Sequence, residues 1–550
     1  MAEQLNGLPA GVFSEETRRT SGKDALSMNI EAGSAVAEAV RTTLGPRGMD
    51  KMLVSEDGDV VVTNDGVTVL SEMDVDHPVA EMVVDVAETQ DAEVGDGTTT
   101  AVVVAGALLE EASELTERGI HPSTVVDGYR RAAEHVPTLL DDVAVEASPD
   151  DTELLESIAR TALAGKGAEA AVDELAPLVV EAVRRTVDES GPDVDAIKVH
   201  SFPGKTIGDS RLLDGLTIDR TPDHPNMEAD RDDAEILVYG GELKPTESEV
   251  DPEIEVSDPG ELEAFIERER AELDNVAEGI ADAGVDVVFA SGEIGDRVQQ
   301  RLAEAGVLSF GGVRDPDVEK LVATTGASVV SDFGGISESD LGYAGTVREE
   351  LIRAKYGPKS AAPEKTTLVS DLEEVNAFTF VLRGATEHVV DEVDRAVEDA
   401  LQVVAATIED GLVVPGGGAA EVALALGLRD AADAVDSREQ LAIEAVADAL
   451  ETIPRTLAAN GGLDPVDALV DVRASQEGGD EATGIDTRSG EVVDAHEAGI
   501  LEPKRVKSQA LDAGIEAVNS VLRIDDVVSA GELKTDDDED DEDTGLNPYS

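Results

Sequence analysis

The sequence predicts a multidomain α+β protein, helical toward both ends and mixed in the middle. Three observations carry that prediction. Apolar residues recur at helical spacing from Asp24 to Ala147 and again, with turns between, from Thr386 to Leu522. Short apolar strands alternate with helices between residues 223 and 370, the pattern of a parallel or mixed sheet covered by helices. Ala147-Ser148-Pro149-Asp150, and the break before a strong strand at Ala377–Gly384, interrupt the periodicity and mark boundaries.

Composition sets the limits. The chain has 550 residues, enough for several domains and a large core. Its 42 Lys+Arg stand against 121 Asp+Glu, a formal net charge of -79. The acid is spread along the whole chain. Such a field disfavours nucleic-acid and anionic-membrane binding, which both need a cationic surface. Hydrophobic residues still make up 41%, which excludes a disordered polyanion. The simplest account is a folded protein adapted to a salt-rich cytoplasm, where ions screen the self-repulsion. The absence of Cys excludes disulfide and thiol chemistry and is compatible with a cytoplasmic protein. Residues 1–24 are polar and carry no signal-peptide core. No apolar run reaches the roughly 18 residues needed to cross a bilayer.

Taken in order, residues 1–24 look mobile. A helix follows through Met28, Ile30, Val36 and Val40, and stops at Thr43-Leu44-Gly45-Pro46-Arg47-Gly48. The glycines free the backbone there and Arg47 adds a cation; an ordinary helix-ending loop reads equally well. Lys51–Val54 and Asp59–Thr63 flank Glu56-Asp57-Gly58 as a hairpin. Asn64-Asp65-Gly66 is turn chemistry, and Asp65 gains interest only if it meets Asp96 in space. A helix from Pro78 to Thr89 leads to Gly95-Asp96-Gly97-Thr98-Thr99-Thr100, a glycine-rich turn before the buried helix that begins at Ala101. Such a turn offers unpaired N–H groups and a positive dipole end to an anion, and the aspartate can hold Mg²⁺ beside a phosphate. The bland alternative is an N-cap with a tight turn.

Residues 122–147 form an amphipathic helix, and Leu154, Leu155 and Ile158 open another that ends at Gly165-Lys166-Gly167. Lys166 on that loop could contact a phosphate or simply be a solvated cap. Residues 195–222 alternate as strands. Gly204-Lys205-Thr206 imitates the end of a P-loop, but Val199 stands where the first glycine is needed, so this is a coincidence. Between 223 and 370, strands at Ile236–Tyr239, Val285–Ala290 and Val307–Phe310 alternate with helices at Glu261–Ala283 and Val298–Ala305, and the acidic stretch Glu247–Pro259 projects. Thr386 caps a long helix that carries Asp399, ordinarily a solvated charge at such a place. Gly416-Gly417-Gly418 is a second glycine turn before a helix; Glu421 occupies the place of a dinucleotide fingerprint's last glycine. Helices at 438–453 and 464–475, turns and short strands at 484–502, a helix at Val506–Leu522 and a strand at Ile524–Val528 complete the chain before an acidic tail at 535–544.

Together these segments resemble a group II chaperonin subunit of the archaeal thermosome type, from about Asp24 to Ala530. The carrying segments are Thr43–Leu53, Thr63–Thr68, Gly95–Ala101, Val414–Gly418 and Ile524-Asp525-Asp526. The resemblance implies a chaperonin fold. A mainly α-helical equatorial ATP-binding domain would join 1–149 to 403–530. An α/β intermediate domain would join 150–222 to 371–402. An α/β apical domain, 223–370, would carry a helical protrusion near 245–277. It also implies ATP and Mg²⁺ as cofactors, non-native proteins as clients, and identical or paralogous subunits in a double ring. Asp96 resembles the Mg²⁺ ligand. Leu44, Gly45, Pro46, Gly97, Thr98, Thr99 and Thr100 match the phosphate loops, and Lys166 the γ-phosphate sensor. Gly417, Asp486 and Glu497 match ribose- and adenine-side positions. Asp65 and Asp399 look like the carboxylates that position or activate the attacking water. The sequence departs from the family in its acidic tail, which lacks Gly-Met repeats, and at Gly311-Gly312-Val313, where relatives are basic.

Three functions meet these facts: an ATP-dependent folding chamber, a soluble ATPase serving small-molecule chemistry, or an inactive ring subunit. The 7 His are scattered and form no His-Glu-x-x-His, which leaves the second without a substrate constellation. Intact nucleotide motifs argue against the third.

Overall fold

The computed structural model describes residues 18–529 except 56–57, 59, 74, 168–170, 189, 204, 245–272, 332–335, 354–363 and 373–377. The Glu56-Asp57 turn, the stretch Glu247–Pro259, the first half of the helix expected from Glu261, most of the protrusion and the acidic tail lie outside the described residues. The chain forms two compact units. One joins Met1–Val145 to Val414–Ser550, and the other is Glu146–Val413.

The first unit is built on the helix Thr98–Glu117. Its residues Ala101 to Leu109 are buried without a break, and a helix apolar on every side must be enclosed by others. Helices Lys23–Arg41, Pro78–Val94, Glu439–Leu450 and Lys504–Val521 enclose it. The approach of Lys23–Arg41 depends on glycine: a Cβ on Gly106 would lie 2.2 Å from Ala37 Cβ, and one on Gly33 would lie 2.5 Å from Leu109 Cδ1. Tyr129, buried on the helix Pro122–Val143, donates its hydroxyl to the Leu108 carbonyl at 2.8 Å.

Local pattern misplaced some elements. Residues 18–21, expected to be mobile, form a strand antiparallel to Asp526–Ser529, with Arg18 opposite Ser529. That pairing joins the two ends of the chain and leaves no local trace. The helix from Pro78 runs to Val94, because Gly95 at φ 68° supplies its left-handed stop. The stretch 438–453 divides into Glu439–Leu450 and a further helix, Thr452–Asn460. A continuous helix would set the Pro454 ring against the Leu450 carbonyl, whereas in a new first turn proline needs no donor.

Among the described residues, two sheets lie wholly within the second unit. In the smaller, Phe378–Gly384 lies between Ile197–Pro203, parallel to it, and Arg211–Asp214, antiparallel. Helices Thr152–Leu163, Val172–Thr186 and Glu387–Asp410 accompany this sheet. The larger sheet runs in the order Leu308–Phe310, Val287–Ala290, Arg231–Tyr239, Gly342–Arg353, Glu364–Ser370, Leu216–Ile218, with Val329–Val330 also paired to Arg231–Tyr239. It is mixed: the first pairs are parallel, and the later ones antiparallel. The strands Gly342–Arg353 and Glu364–Ser370 were not foreseen; charged residues lie among the apolar ones of the first, and the second has only Leu368 and Val369 as apolar residues. Phe289 and Phe310 stack in this core with centroids 4.9 Å apart. Among the described residues no helix is long and apolar enough to cross a membrane.

Candidate functional site

The glycine turns of the first unit meet through a series of close contacts. Gly95 (φ 68°) ends one helix and Gly97 (φ 80°) begins the next, so Asp96 stands between two left-handed residues that only glycine adopts without strain. No side chain caps the helix Thr98–Glu117. Its first N–H groups and its dipole are therefore available to an anion. Thr98 is buried, and Asp96, Thr99 and Thr100 are half-buried.

Asp65 arrives beside this turn. Asn64-Asp65-Gly66 opens a short helix, Gly66–Ser71, and Asp65 is its N-cap: Oδ2 accepts from Thr68 N at 2.9 Å and from Thr68 Oγ1 at 2.7 Å. Both bonds go to one oxygen, which fixes the carboxylate and leaves acceptor capacity on the other. A Cβ on Gly66 would lie 2.5 Å from Thr99 Oγ1 and 3.0 Å from Thr99 N. This contact brings the residue after Asp65 against the helix start that follows Asp96.

The other turns of the first unit contact one another. Gly417 (φ 64°) accepts from Ile485 N at 2.9 Å through its carbonyl, which holds the Gly416–Gly418 loop against the strand ending at Asp486. A Cβ on Gly418 would strike Pro454, and one on Gly45 would lie 2.4 Å from Leu457 Cδ2, on the same short helix. Asn460 ends that helix and donates to the carbonyls of Leu44 at 2.9 Å and Arg41 at 3.2 Å. Leu44 is buried, Pro46 half-buried, and Arg47 donates to the Arg488 carbonyl at 3.3 Å. Asp486 accepts from Arg488 N at 2.9 Å. Glu497 is exposed, on the turn after Asp494, with its N–H bonded to Asp494 Oδ1 at 3.0 Å.

Lys166 and Asp399 belong to the second unit, where they meet each other: Lys166 Nζ lies 2.8 Å from Asp399 Oδ2, and both are largely shielded from solvent. Gly165 and Gly167, at φ 86° and 67°, form the turn that presents the lysine. A Cβ on Gly167 would lie 2.5 Å from Glu392 Cδ. Asp399 is thus not the solvated helix charge that its local sequence suggests.

Sequence reasoning missed Gln90, whose amide donates to the Asp96 carbonyl at 2.7 Å and the Val506 carbonyl at 3.2 Å. It missed Asn460 and Lys507 too. Lys507 could have been found, since it shares the buried face of its helix with Leu511, Gly514 and Val518, where a cation needs a partner. Among the described residues no group of three or more His, Asp or Glu forms a metal site by itself. The uncapped helix start beside Asp96 and the glycine-only approaches suit a magnesium–triphosphate.

The TCP-1/cpn60 chaperonin family profile matches residues 36–532. The chain is 51% identical over 533 residues to thermosome subunit alpha of Halobacterium salinarum, covering 97% of this chain and 93% of that one. It is 48% identical over 542 residues to thermosome subunit 1 of Haloferax volcanii, covering 98% and 95%. Among solved structures it resembles the open-state monomer of a group II chaperonin from Methanococcoides burtonii, with 39% identity and a TM-score of 0.59 over 78% of this chain and 100% of that one.

Proposed function

The chain belongs to the TCP-1/cpn60 chaperonin family, and from that premise we propose that it is a cytoplasmic ATP-dependent chaperone subunit. In this reading Mg·ATP hydrolysis drives closure of a double-ring chamber around non-native proteins. In it the equatorial domain is 1–149 with 403–530, the intermediate domain 150–222 with 371–402, and the apical domain 223–370. The observation that carries the reading is the approach of Gly66, the residue after Asp65, to Thr98 and Thr99 at an uncapped helix start beside Asp96.

Phosphoryl transfer asks a protein mainly for charge neutralisation, alignment and an oriented water. Asp96 would hold Mg²⁺, which supplies charge neutralisation at the phosphates. The N–H groups and hydroxyls of Thr98, Thr99 and Thr100 bind phosphate oxygens, and the Leu44–Pro46 loop closes over them. Gly417, Asp486 and Glu497 receive the ribose and adenine. Asp65, held through Thr68, orients the attacking water and accepts its proton together with Asp399. Lys166 neutralises Asp399 until a γ-phosphate competes for its ammonium.

The test combines particle imaging with turnover in concentrated salt. Stacked rings that hydrolyse ATP and raise the yield of a refolding client support the reading. Monomers by light scattering, or rings without ATP hydrolysis, reject it.

A further inference from the structure

Lys507 is buried near the start of the helix Lys504–Val521, with its ammonium 2.7 Å from Glu421 Oε1 and 2.7 Å from Glu502 Oε2. Glu421 is buried too, in the first turn of the helix Ala419–Asp433. Its contact with Lys507 is an ion pair and not an aligned hydrogen bond, and its Oε2 has no hydrogen-bond partner. Burial opposes the Lys507 charge, but Glu421 and Glu502 outweigh it and hold the ammonium's pKa above its ordinary value. Burial pushes the Glu502 carboxyl up, with Lys507 pulling it back. Two carboxylates sharing one buried cation are a poor source of stability, since an apolar trio of similar volume commonly does as well or better. The group therefore calls for another explanation.

Its position supplies one. Glu502 Oε1 lies 2.9 Å from the place a Cβ on Gly416 would occupy. Val506, one residue before Lys507, sets Cγ1 2.8 Å from the corresponding place on Gly97. The Val506 carbonyl accepts from the same Gln90 amide that bonds the Asp96 carbonyl. One helix start thus touches both glycine turns, and Lys507 ties it to the helix that follows the second. We propose that Lys507 is a positioning residue that fixes the spacing between the Gly95–Thr100 and Gly416–Gly418 loops through its ion pairs to Glu421 and Glu502. The inference rests on the nucleotide reading of those loops. Lys507 acts without touching the nucleotide: while the pairs hold, the phosphate side and the ribose side of the site keep one separation.

The experiment uses full-length assembled protein in concentrated salt and three variants: Lys507→Met, Glu421→Gln, and the triple Glu421→Gln/Lys507→Met/Glu502→Gln. Thermal unfolding and the steady-state KM and kcat for Mg·ATP are read on each. Lys507→Met orphans the buried Glu421 carboxylate and the half-buried Glu502 carboxylate and should lower the unfolding temperature; the triple variant orphans none and should recover it. KM should rise at least tenfold in both and stay high in the triple variant, whose loops have lost their tie. Recovery of KM in parallel with the unfolding temperature overturns the proposal, because it reduces the group to packing. Glu421→Gln is isosteric and keeps the Lys507–Glu502 pair; wild-type KM in it also overturns the proposal, even should Lys507→Met fail to assemble. Wild-type protein that binds no Mg·ATP rejects the nucleotide reading itself, an outcome distinct from wild-type binding with unaffected variants.

Discussion

Gly66→Ala separates the chemistry of the site from the stability of the fold. Gly66 starts the helix Gly66–Ser71 outside the positive-φ region, so alanine meets no backbone strain there. Alanine is also the better helix former, by at most about 1 kcal/mol. The added methyl, however, would lie 2.5 Å from Thr99 Oγ1, 3.2 Å from Thr98 Oγ1 and 3.0 Å from Thr99 N. The hydroxyls can rotate aside; the backbone nitrogen, at the start of the enclosed helix, cannot. Restoring the 3.4 Å of ordinary contact with that nitrogen moves the Asp65 turn back by about 0.4 Å. A misplacement of about 1 Å at a reacting centre costs about a hundredfold in rate. Turnover of ATP should therefore fall by about sixfold, an increase of about 1.1 kcal/mol in the barrier, while the unfolding temperature holds or rises. Steady-state hydrolysis and thermal unfolding on the same preparation provide the assay. A folded Gly66→Ala protein hydrolysing at the wild-type rate refutes the reasoning, as does a loss of activity that merely follows a loss of stability.

Three further expectations rest on separate features. Asp399→Asn should keep nucleotide bound and lower turnover by about a hundredfold or more, the usual scale for a lost general base; single-turnover hydrolysis at the wild-type rate removes Asp399 from the site. Transfer from about 1 M to 0.1 M salt lengthens the screening distance from about 3 Å to about 10 Å. A chain of net charge -79 should then dissociate or unfold, and unchanged light scattering and circular dichroism in dilute buffer contradict this. His200 is buried on Ile197–Pro203, bonded to Thr217 Oγ1 at 2.8 Å and facing Lys198, Asp317 and Arg314. Burial, with Lys198 and Arg314, lowers its pKa from 6.5 to about 3. The unfolded chain then takes up the proton first, so this contribution to stability is complete above pH 6.5 and falls as the pH drops toward 3. The loss is about 1.4 kcal/mol per pH unit, or about 2 kcal/mol by pH 5. Denaturant unfolding at pH 7 and pH 5 should show that difference in wild type relative to His200→Gln, and equal pH dependence in the two contradicts it.

What the sequence made legible was local. Gly95 and Gly97 announced a turn before an apolar helix because only glycine reaches their φ values cheaply, and Thr386 announced the start of its helix by accepting from Val389 N. The site itself is non-local. Gly66 reads as turn chemistry until Thr99 is found against it. Gln90 reads as one more polar helix residue until its amide bridges Asp96 and Val506, 416 positions away from it in the second case. Glu421 was noticed only for the glycine it displaces, whereas its weight comes from Lys507. The Arg18–Ser21 strand escaped for the same reason, its partner lying at the other end of the chain. The strands Gly342–Arg353 and Glu364–Ser370 escaped for another: charges set among the apolar residues of the first obscure its alternation, and the second has only the adjacent Leu368 and Val369 as apolar residues.

The most direct measurement is calorimetric titration of Mg·ATP into wild type and Asp96→Ala, both assembled in concentrated salt. Saturable binding to the wild type and its loss in the variant, with both proteins equally folded, is the expected result. Undiminished affinity in Asp96→Ala would mean that the glycine turns meeting around this aspartate serve packing alone.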